Sequence, residues 1–320
     1  MIETDQLTKR YGAFTAVSKL TFKAEANEIL GFLGPNGAGK TTTMRMLTGF
    51  MPPSDGSARV AGFDIFRESL DVRRSVGYLP ETVPLYPDMT VRGYVHYIAE
   101  LRRVAHPAAR TDDVLKTVGM YNRRDTLIRS CSKGMRQRVG LAQAIVHDPP
   151  VLILDEPTIG LDPIQTLEVR DLVRDLGHAH TLLFSTHILS EAEQVCDRVI
   201  IIDKGQIVAM DSPARLRERL QSGGRLFLRV SAMAAPERVA KTLREVTAVK
   251  AVEPYTDGFV IEAAPGTDVR ARLAAAVVTA GWDLLELRPW AMSLEDIFLE
   301  LTTKQASGQA RPGADEESDV

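Results

Sequence analysis

Gly34-Pro35-Asn36-Gly37-Ala38-Gly39-Lys40-Thr41 decides the reading of this chain. The octet fits G-x-x-x-x-G-K-[ST], the phosphate-binding P-loop. An apolar run, Ile29 to Leu33, leads into it, and Thr41 to Leu47 reads as a helix, so the strand–loop–helix context is present. Glycines let the backbone curl so that successive N–H groups face phosphate oxygens, and the helix N-terminus adds partial positive charge there. Lys40 is expected to reach the β/γ-phosphates and the Thr41 hydroxyl to hold Mg²⁺. The expected nucleotide site is therefore Gly34, Pro35, Asn36, Gly37, Ala38, Gly39, Lys40, Thr41 and the following Thr42. The predicted ligand is a nucleoside triphosphate.

Working outward, the first thirty residues alternate apolar and polar, with Leu20, Phe22 and Ala24 set against Thr21, Lys23 and Glu25. That period of two predicts antiparallel strands beside the P-loop strand. Tyr11 lies among them, where an aromatic can stack on a purine or simply serve as a strand residue. Downstream, Ser57–Gly62 and Ser75–Leu79 read as short strands. From Thr90 to Val118 the spacing of Val91, Tyr94, Val95, Ile98 and Leu101 predicts helix. A further helix ends at Val146. Val151-Leu152-Ile153-Leu154 is a continuous apolar run ending in Asp155-Glu156, the pattern of a parallel strand buried on both faces. Asp162-Pro163 reads as an N-cap with proline at the first helical position. Thr181–Ser185 is the next buried strand, with His187 past its end, and Asp203-Lys204-Gly205 makes a hairpin turn.

In an α/β sheet, ligands bind beyond the carboxyl ends of the strands. The P-loop, Asp155-Glu156 and His187 all follow such ends and can converge on one phosphate. Asp155 is then a Mg²⁺ ligand, Glu156 the general base that polarises water, and His187 the sensor of the γ-phosphate. The plainer readings are an acidic helix cap and a loop histidine.

Composition bounds the class. Hydrophobic content of 44% and charged content of 25% suit a soluble globular protein, and a net charge of −3 gives no electrostatic case for nucleic acid as a partner. Cys131 and Cys196 make no disulfide framework and fit a reducing cytosol. Ile2-Glu3-Thr4-Asp5 is polar, which argues against a signal peptide, and no apolar run approaches the ~18 residues of a membrane span. Any membrane role therefore needs spans from another polypeptide.

Gly223-Gly224 reads as a linker. Beyond it come strand 225–230, helix 236–246, strands 249–253 and 259–262, helix 269–280, strand 284–288 and a helix over Leu294–Thr302. The order β-α-β-β-α-β is that of a ferredoxin-like α+β domain. The predicted domains are 1–222, with a helical insertion at about 88–150, then 223–303, then a disordered Gly/Ala/Ser/Gln-rich tail over 304–320.

Taken together, Gly34–Thr41, Ser132-Lys133-Gly134-Met135, Leu154-Asp155-Glu156-Pro157-Thr158, Gly160-Leu161-Asp162 and Ser185-Thr186-His187 resemble the ATPase subunit of ABC transporters. Gly77-Tyr78-Leu79-Pro80-Glu81 and Ser293-Leu294-Glu295-Asp296-Ile297-Phe298 are most similar to ATPases of drug-, polysaccharide- and gliding-motility-type exporters. The resemblance spans roughly residues 1–302. It implies an α/β P-loop NTPase of the ABC ATPase type, with an antiparallel β-subdomain, a helical insertion and the small C-terminal domain.

It also implies Mg²⁺ and ATP as ligands and ATP hydrolysis using Lys40, Glu156 and His187. Tyr11 matches the aromatic that stacks on adenine. Ser132, Lys133, Gly134 and Met135 fall in the signature that closes on the ATP of a second subunit, and Asp162 matches the loop coupling the two sites. The implied partners are a paired ATPase subunit, identical or not, and a separate membrane permease at the cytoplasmic face of the cell membrane. Three positions depart from the usual pattern. Cys131 stands where leucine is common, Lys133 and Met135 replace a glycine and a glutamine, and Glu81 replaces the glutamine that contacts Mg²⁺ and links to the permease. Glu81 is thus the expected coupling residue and a third metal ligand beside Thr41 and Asp155. The alternatives are a soluble ABC-type ATPase acting on ribosomes or nucleic acid, and a small-molecule kinase sharing only the P-loop.

Overall fold

Parallel strand pairing brings the P-loop, Asp155-Glu156, His187 and Glu81 to the carboxyl ends of the strands of one sheet. The computed structural model describes residues 1–216, 225–231, 235–264 and 267–290. These fall into two compact units, with the break between Pro213 and Ala214. The expected Gly223-Gly224 linker, the helix over 294–302 with its Ser293–Phe298 motif, and the tail from Lys304 lie outside the described residues.

In the first unit, β1 (Ile2–Tyr11) and β2 (Phe14–Ala24) form an antiparallel pair, and β4 (Asp55–Val60) and β5 (Phe63–Asp64) extend it in the order β2-β1-β4-β5. The period of two holds, because Leu20, Phe22 and Ala24 are buried while Thr21 and Lys23 are exposed. The second sheet contains β3 (Ile29–Leu33), β6 (Val76–Leu79), β7 (Val151–Asp155), β8 (Thr181–Thr186), β9 (Arg198–Asp203) and β10 (Gln206–Asp211), in the order β10-β9-β3-β8-β7-β6. All its pairs are parallel except β10 with β9. Every residue of β3, β7 and β8 is buried. Unbroken apolar runs are what a strand covered on both faces requires.

The register sets the height of each strand end. Leu33 aligns with Thr186, Asp155 with Ser185, and Leu79 with Leu154. The loops that follow, carrying the P-loop, Glu156, His187 and Glu81, therefore leave the sheet at one level. Helix α1 (Lys40–Leu47) packs its buried Met44, Met46 and Leu47 into the core shared with Phe22, Phe32, Ile153 and Ile200. At about 1.5–3 kcal/mol per buried large apolar side chain, this cluster anchors the P-loop helix to the sheet.

The helical pattern over 90–118 resolves into two helices, α3 (Val91–Leu101) and α4 (Pro107–Thr117). Arg103 and His106 take left-handed backbone (φ 58° and 53°), and Pro107 begins the second helix. Apolar spacing alone does not register this break. Two further helices have no separate sequence expectation: α2 (Ser69–Ser75) and, after α5 (Lys133–Ile145) and α6 (Pro163–Gly177), α7 (Leu189–Val195). Both short segments have seven residues, too few for a helical period to stand out.

The second unit places β11 (Arg225–Val230), α8 (Pro236–Arg244), β12 (Val249–Tyr255), β13 (Gly258–Ala263), α9 (Arg270–Thr279) and β14 (Leu284–Pro289) in the predicted order. Its antiparallel sheet runs β12-β13-β11-β14, the ferredoxin-like arrangement. Leu228, Ile261, Val239, Leu243, Leu273 and Val277 fill the core between sheet and helices.

Candidate functional site

A cleft of about 370 Å³ opens over the P-loop, lined by Tyr11, Phe14, Ala16, residues 35–37 and 39–42, Glu81, Glu156 and Ile159. Gly39 shows why the loop needs glycine: its φ is 104°, and a Cβ there would lie 2.6 Å from the Ala16 carbonyl oxygen. Lys40 is buried and donates from Nζ to the carbonyl oxygens of Gly34 (2.6 Å) and Pro35 (3.2 Å). The same ammonium lies 3.2 Å from Glu156 Oε1, an ion-pair distance without hydrogen-bond geometry. Glu156 Oε2 is 2.8 Å from His187 Nδ1. The three predicted catalytic side chains therefore form one continuous polar chain.

Glu156 sits at φ 50°, a left-handed conformation uncommon outside glycine. Its N–H donates to Ser185 Oγ (2.9 Å), and that hydroxyl donates onward to Asp155 Oδ1 (2.6 Å). Ser185 thus ties the Glu156 backbone to the Asp155 carboxylate. Burial, the largest influence, pushes the Asp155 carboxyl above its ordinary value, and Glu156 adds to the effect; Ser185, Thr41 and Lys40 act in the opposite direction. Asp155 Oδ2 is buried with no hydrogen-bond partner among the described residues. An acceptor oxygen left open beside the Thr41 hydroxyl fits a hard cation, which takes oxygen ligands. Among the described residues no group of three or more His, Cys, Asp or Glu is placed to hold a metal ion by itself. Mg²⁺ is commonly bound through one or two carboxylates plus substrate phosphates.

Comparisons with known proteins bear on this geometry. Residues 17–159 match the family model described as "ABC transporter". The chain is 31% identical to the linearmycin resistance ATP-binding protein LnrL of Bacillus subtilis (strain 168), over 94% of this chain and 98% of that one. It is 34% identical to the bacitracin transport ATP-binding protein BcrA of Bacillus licheniformis, over 94% and 97%. This chain belongs to the ABC transporter ATP-binding family. It is also 36% identical to the Nod factor export ATP-binding protein I of Paraburkholderia xenovorans (strain LB400), over 95% and 97%. Among solved structures, an ATP-binding subunit of an ABC transporter superposes with a TM-score of 0.63 at 29% identity, covering 69% of this chain and 93% of that one. The dimeric cassette MJ0796 shares the fold at 21% identity and a TM-score of 0.62, with 66% and 98% covered.

In this ABC ATPase none of Ser132, Lys133, Gly134 and Met135, the residues expected to form the signature, is among the lining residues of the cleft. Ser132 caps α5 by accepting the Met135 N–H at 3.2 Å. Gly134 packs against α6, where a Cβ would lie 2.2 Å from Gln165 Oε1. Asp162 caps α6, accepting from Gln165 N at 2.9 Å. Cys131 is buried, as a small apolar residue would be. Glu81 is exposed at the cleft's edge.

Tyr11 and Phe14 stand opposite each other across the β1–β2 turn, exposed by 47% and 65%. Two such rings on a cleft wall can receive a flat base. The sequence reading names Tyr11 and misses Phe14, although its place just past the Gly12 turn from Tyr11 is a usable signal. Ser185 is legible only as part of a motif, because its two bonds depend on β7 and β8 being neighbours. Among the described residues no helix is long and apolar enough to cross a membrane.

Proposed function

We propose that this ABC ATPase drives export through a separate membrane permease, working at the cytoplasmic face as one of two paired ATPase subunits, with no nucleic-acid partner. The observation that carries the hydrolytic part is the polar chain that runs from Lys40 and Glu156, which line the P-loop cleft, to His187 beyond it. In this reading ATP lies with its base on Tyr11 and Phe14 and its phosphates in the loop Gly34–Thr42. Lys40 exchanges Glu156 for the β/γ-phosphates, which frees the carboxylate to accept a proton from water. His187 holds that carboxylate in place and meets the γ-phosphate. Thr41, Asp155 and Glu81 would hold Mg²⁺, which supplies charge neutralisation at the phosphates.

The four signature residues, remote from their own cleft, are proposed to complete the cleft of a second subunit, with Asp162 coupling the two sites. The MJ0796 cassette, which shares this fold, is dimeric, and that supports the pairing. Export is supported by the relatives, which include a bacitracin transport protein and a Nod factor export protein. We assign nucleotide work to residues 1–222 and a regulatory or assembly role to residues 223–303. The test is affinity purification of the full chain from detergent-solubilised membranes. A co-purifying polypeptide with several membrane spans, raising ATP turnover in vesicles, is expected; purification with ribosomes or nucleic acid instead would overturn the reading.

A further inference from the structure

Glu191 is a buried carboxylate (1% exposed) with no part in the chemistry described above. It sits on α7, four residues beyond His187. One of its oxygens, Oε2, accepts from Thr158 Oγ1 at 2.8 Å and from Thr186 Oγ1 at 2.9 Å. Its other oxygen lies 3.8 Å from the Arg170 guanidinium of α6, and Arg170 also donates to Gln194 at 2.6 Å. Thr186 Oγ1 in turn accepts from the N–H of Ile188 at 3.0 Å, so that hydroxyl is engaged on both sides.

The two threonines are not neighbours in sequence, yet each marks a catalytic loop. Thr158 lies two residues after Glu156, and Thr186 immediately precedes His187. A buried carboxylate is costly to desolvate unless its lone pairs are filled, and breaking such a group's contacts is expensive. Here the filling groups come from the two loops whose side chains meet 2.8 Å apart at Glu156 Oε2 and His187 Nδ1.

We infer that Glu191 is a positioning residue for ATP hydrolysis: by clamping Thr158 and Thr186 on one oxygen, it sets the separation of Glu156 and His187. It is buried outside the lining of the cleft and works through those two loops. The inference rests on Glu156 and His187 acting as proposed. The competing account is that Glu191 only stabilises the packing of α7 on α6, and the two accounts differ in what a substitution changes. A packing role lowers thermal stability with turnover intact in the folded fraction. A positioning role lowers kcat while leaving nucleotide binding alone.

The experiment uses the full chain and measures steady-state ATPase, ATP affinity and melting temperature for Glu191→Ala, Glu191→Gln, Thr158→Val, Thr186→Val and Glu156→Gln. Glu191→Ala should lower kcat at least tenfold, with KM for ATP within twofold of wild type. Glu191→Gln should recover kcat to within about threefold, because a carbonyl oxygen can still accept both hydroxyls. Each Thr→Val variant should lower kcat several-fold, and adding it to Glu191→Ala should cost little more, since members of one network are not additive. If Glu191→Ala does not fold, the threonine variants and Glu191→Gln carry the test. Wild-type kcat in both threonine variants, or a loss confined to KM or melting temperature, overturns the inference. Glu156→Gln separates the two levels: full turnover in that variant sinks the assignment of the base, whereas its inactivity beside an active Glu191→Ala sinks only the clamp.

Discussion

Replacing Glu156 by glutamine should move turnover and affinity in opposite directions. The side chain keeps its shape, and its carbonyl oxygen can still meet His187 Nδ1, now 2.8 Å from Oε2. What disappears is the basic carboxylate. A positioned general base contributes roughly 10²–10⁴-fold, or about 2.7–5.4 kcal/mol of barrier, and kcat should fall by that factor. The second effect comes from Lys40. Its ammonium lies 3.2 Å from Glu156 Oε1 in a pair that is almost fully buried. At an effective dielectric constant of 20, Coulomb's law gives about 5 kcal/mol for that separation before desolvation is counted. Desolvation offsets most of it, leaving on the order of 1–2 kcal/mol that ATP has to overcome in drawing Lys40 to its phosphates. Removing the carboxylate removes that competitor, so ATP should bind roughly five- to thirtyfold more tightly. Isothermal titration calorimetry and steady-state phosphate release on the same preparation measure both quantities. Turnover within threefold of wild type would refute the base assignment, and weakened ATP binding would refute the competition between carboxylate and phosphate for Lys40.

Asp155→Asn tests the proposed metal site through pH. Burial raises the folded-state pKa of Asp155 above the ordinary 3.8, so the folded state holds this proton more tightly than the unfolded one. Its burden on stability is therefore absent below the unfolded value and grows as pH rises through the raised folded value. The nucleotide-free asparagine variant should melt a few degrees above wild type at pH 7 in chelator, with the gap closing toward pH 4, while Mg²⁺-dependent ATPase falls at least tenfold. A lower melting temperature at pH 7 would contradict this account. Tyr11→Ala and Phe14→Ala should each weaken ATP by roughly five- to hundredfold, the range for loss of base stacking, while inorganic triphosphate binds as before. Equal losses for both ligands would mean that the rings support the loop and do not hold the base. Glu81→Gln should be mild and Glu81→Ala severe for transport in the complex with the permease, with ATP binding by the isolated subunit little changed; near-normal transport in both would make Glu81 an ordinary exposed loop acid.

Local sequence dictates whatever depends on residues a few positions apart. The P-loop needs glycine at Gly39 and a cation at Lys40 within one turn of chain. Ser132 and Asp162 cap the helices that directly follow them, and each caps through a residue three positions on. The apolar run into Asp155 announced a strand covered on both faces, and the C-terminal order of elements announced its sheet. Tertiary structure alone decided the rest. Glu156 and His187 are thirty-one residues apart, and their contact exists because β7 and β8 are parallel neighbours in register. The pairing of Lys40 with Glu156 spans still more chain and follows from β3 lying on the other side of β8. Glu191 was invisible as a working residue, and Ser185 legible only within its motif, for the same reason: a hydroxyl or a carboxylate takes its role from the groups it meets. Strand order, a property of the whole sheet, chooses those groups, and no local pattern of side chains encodes it.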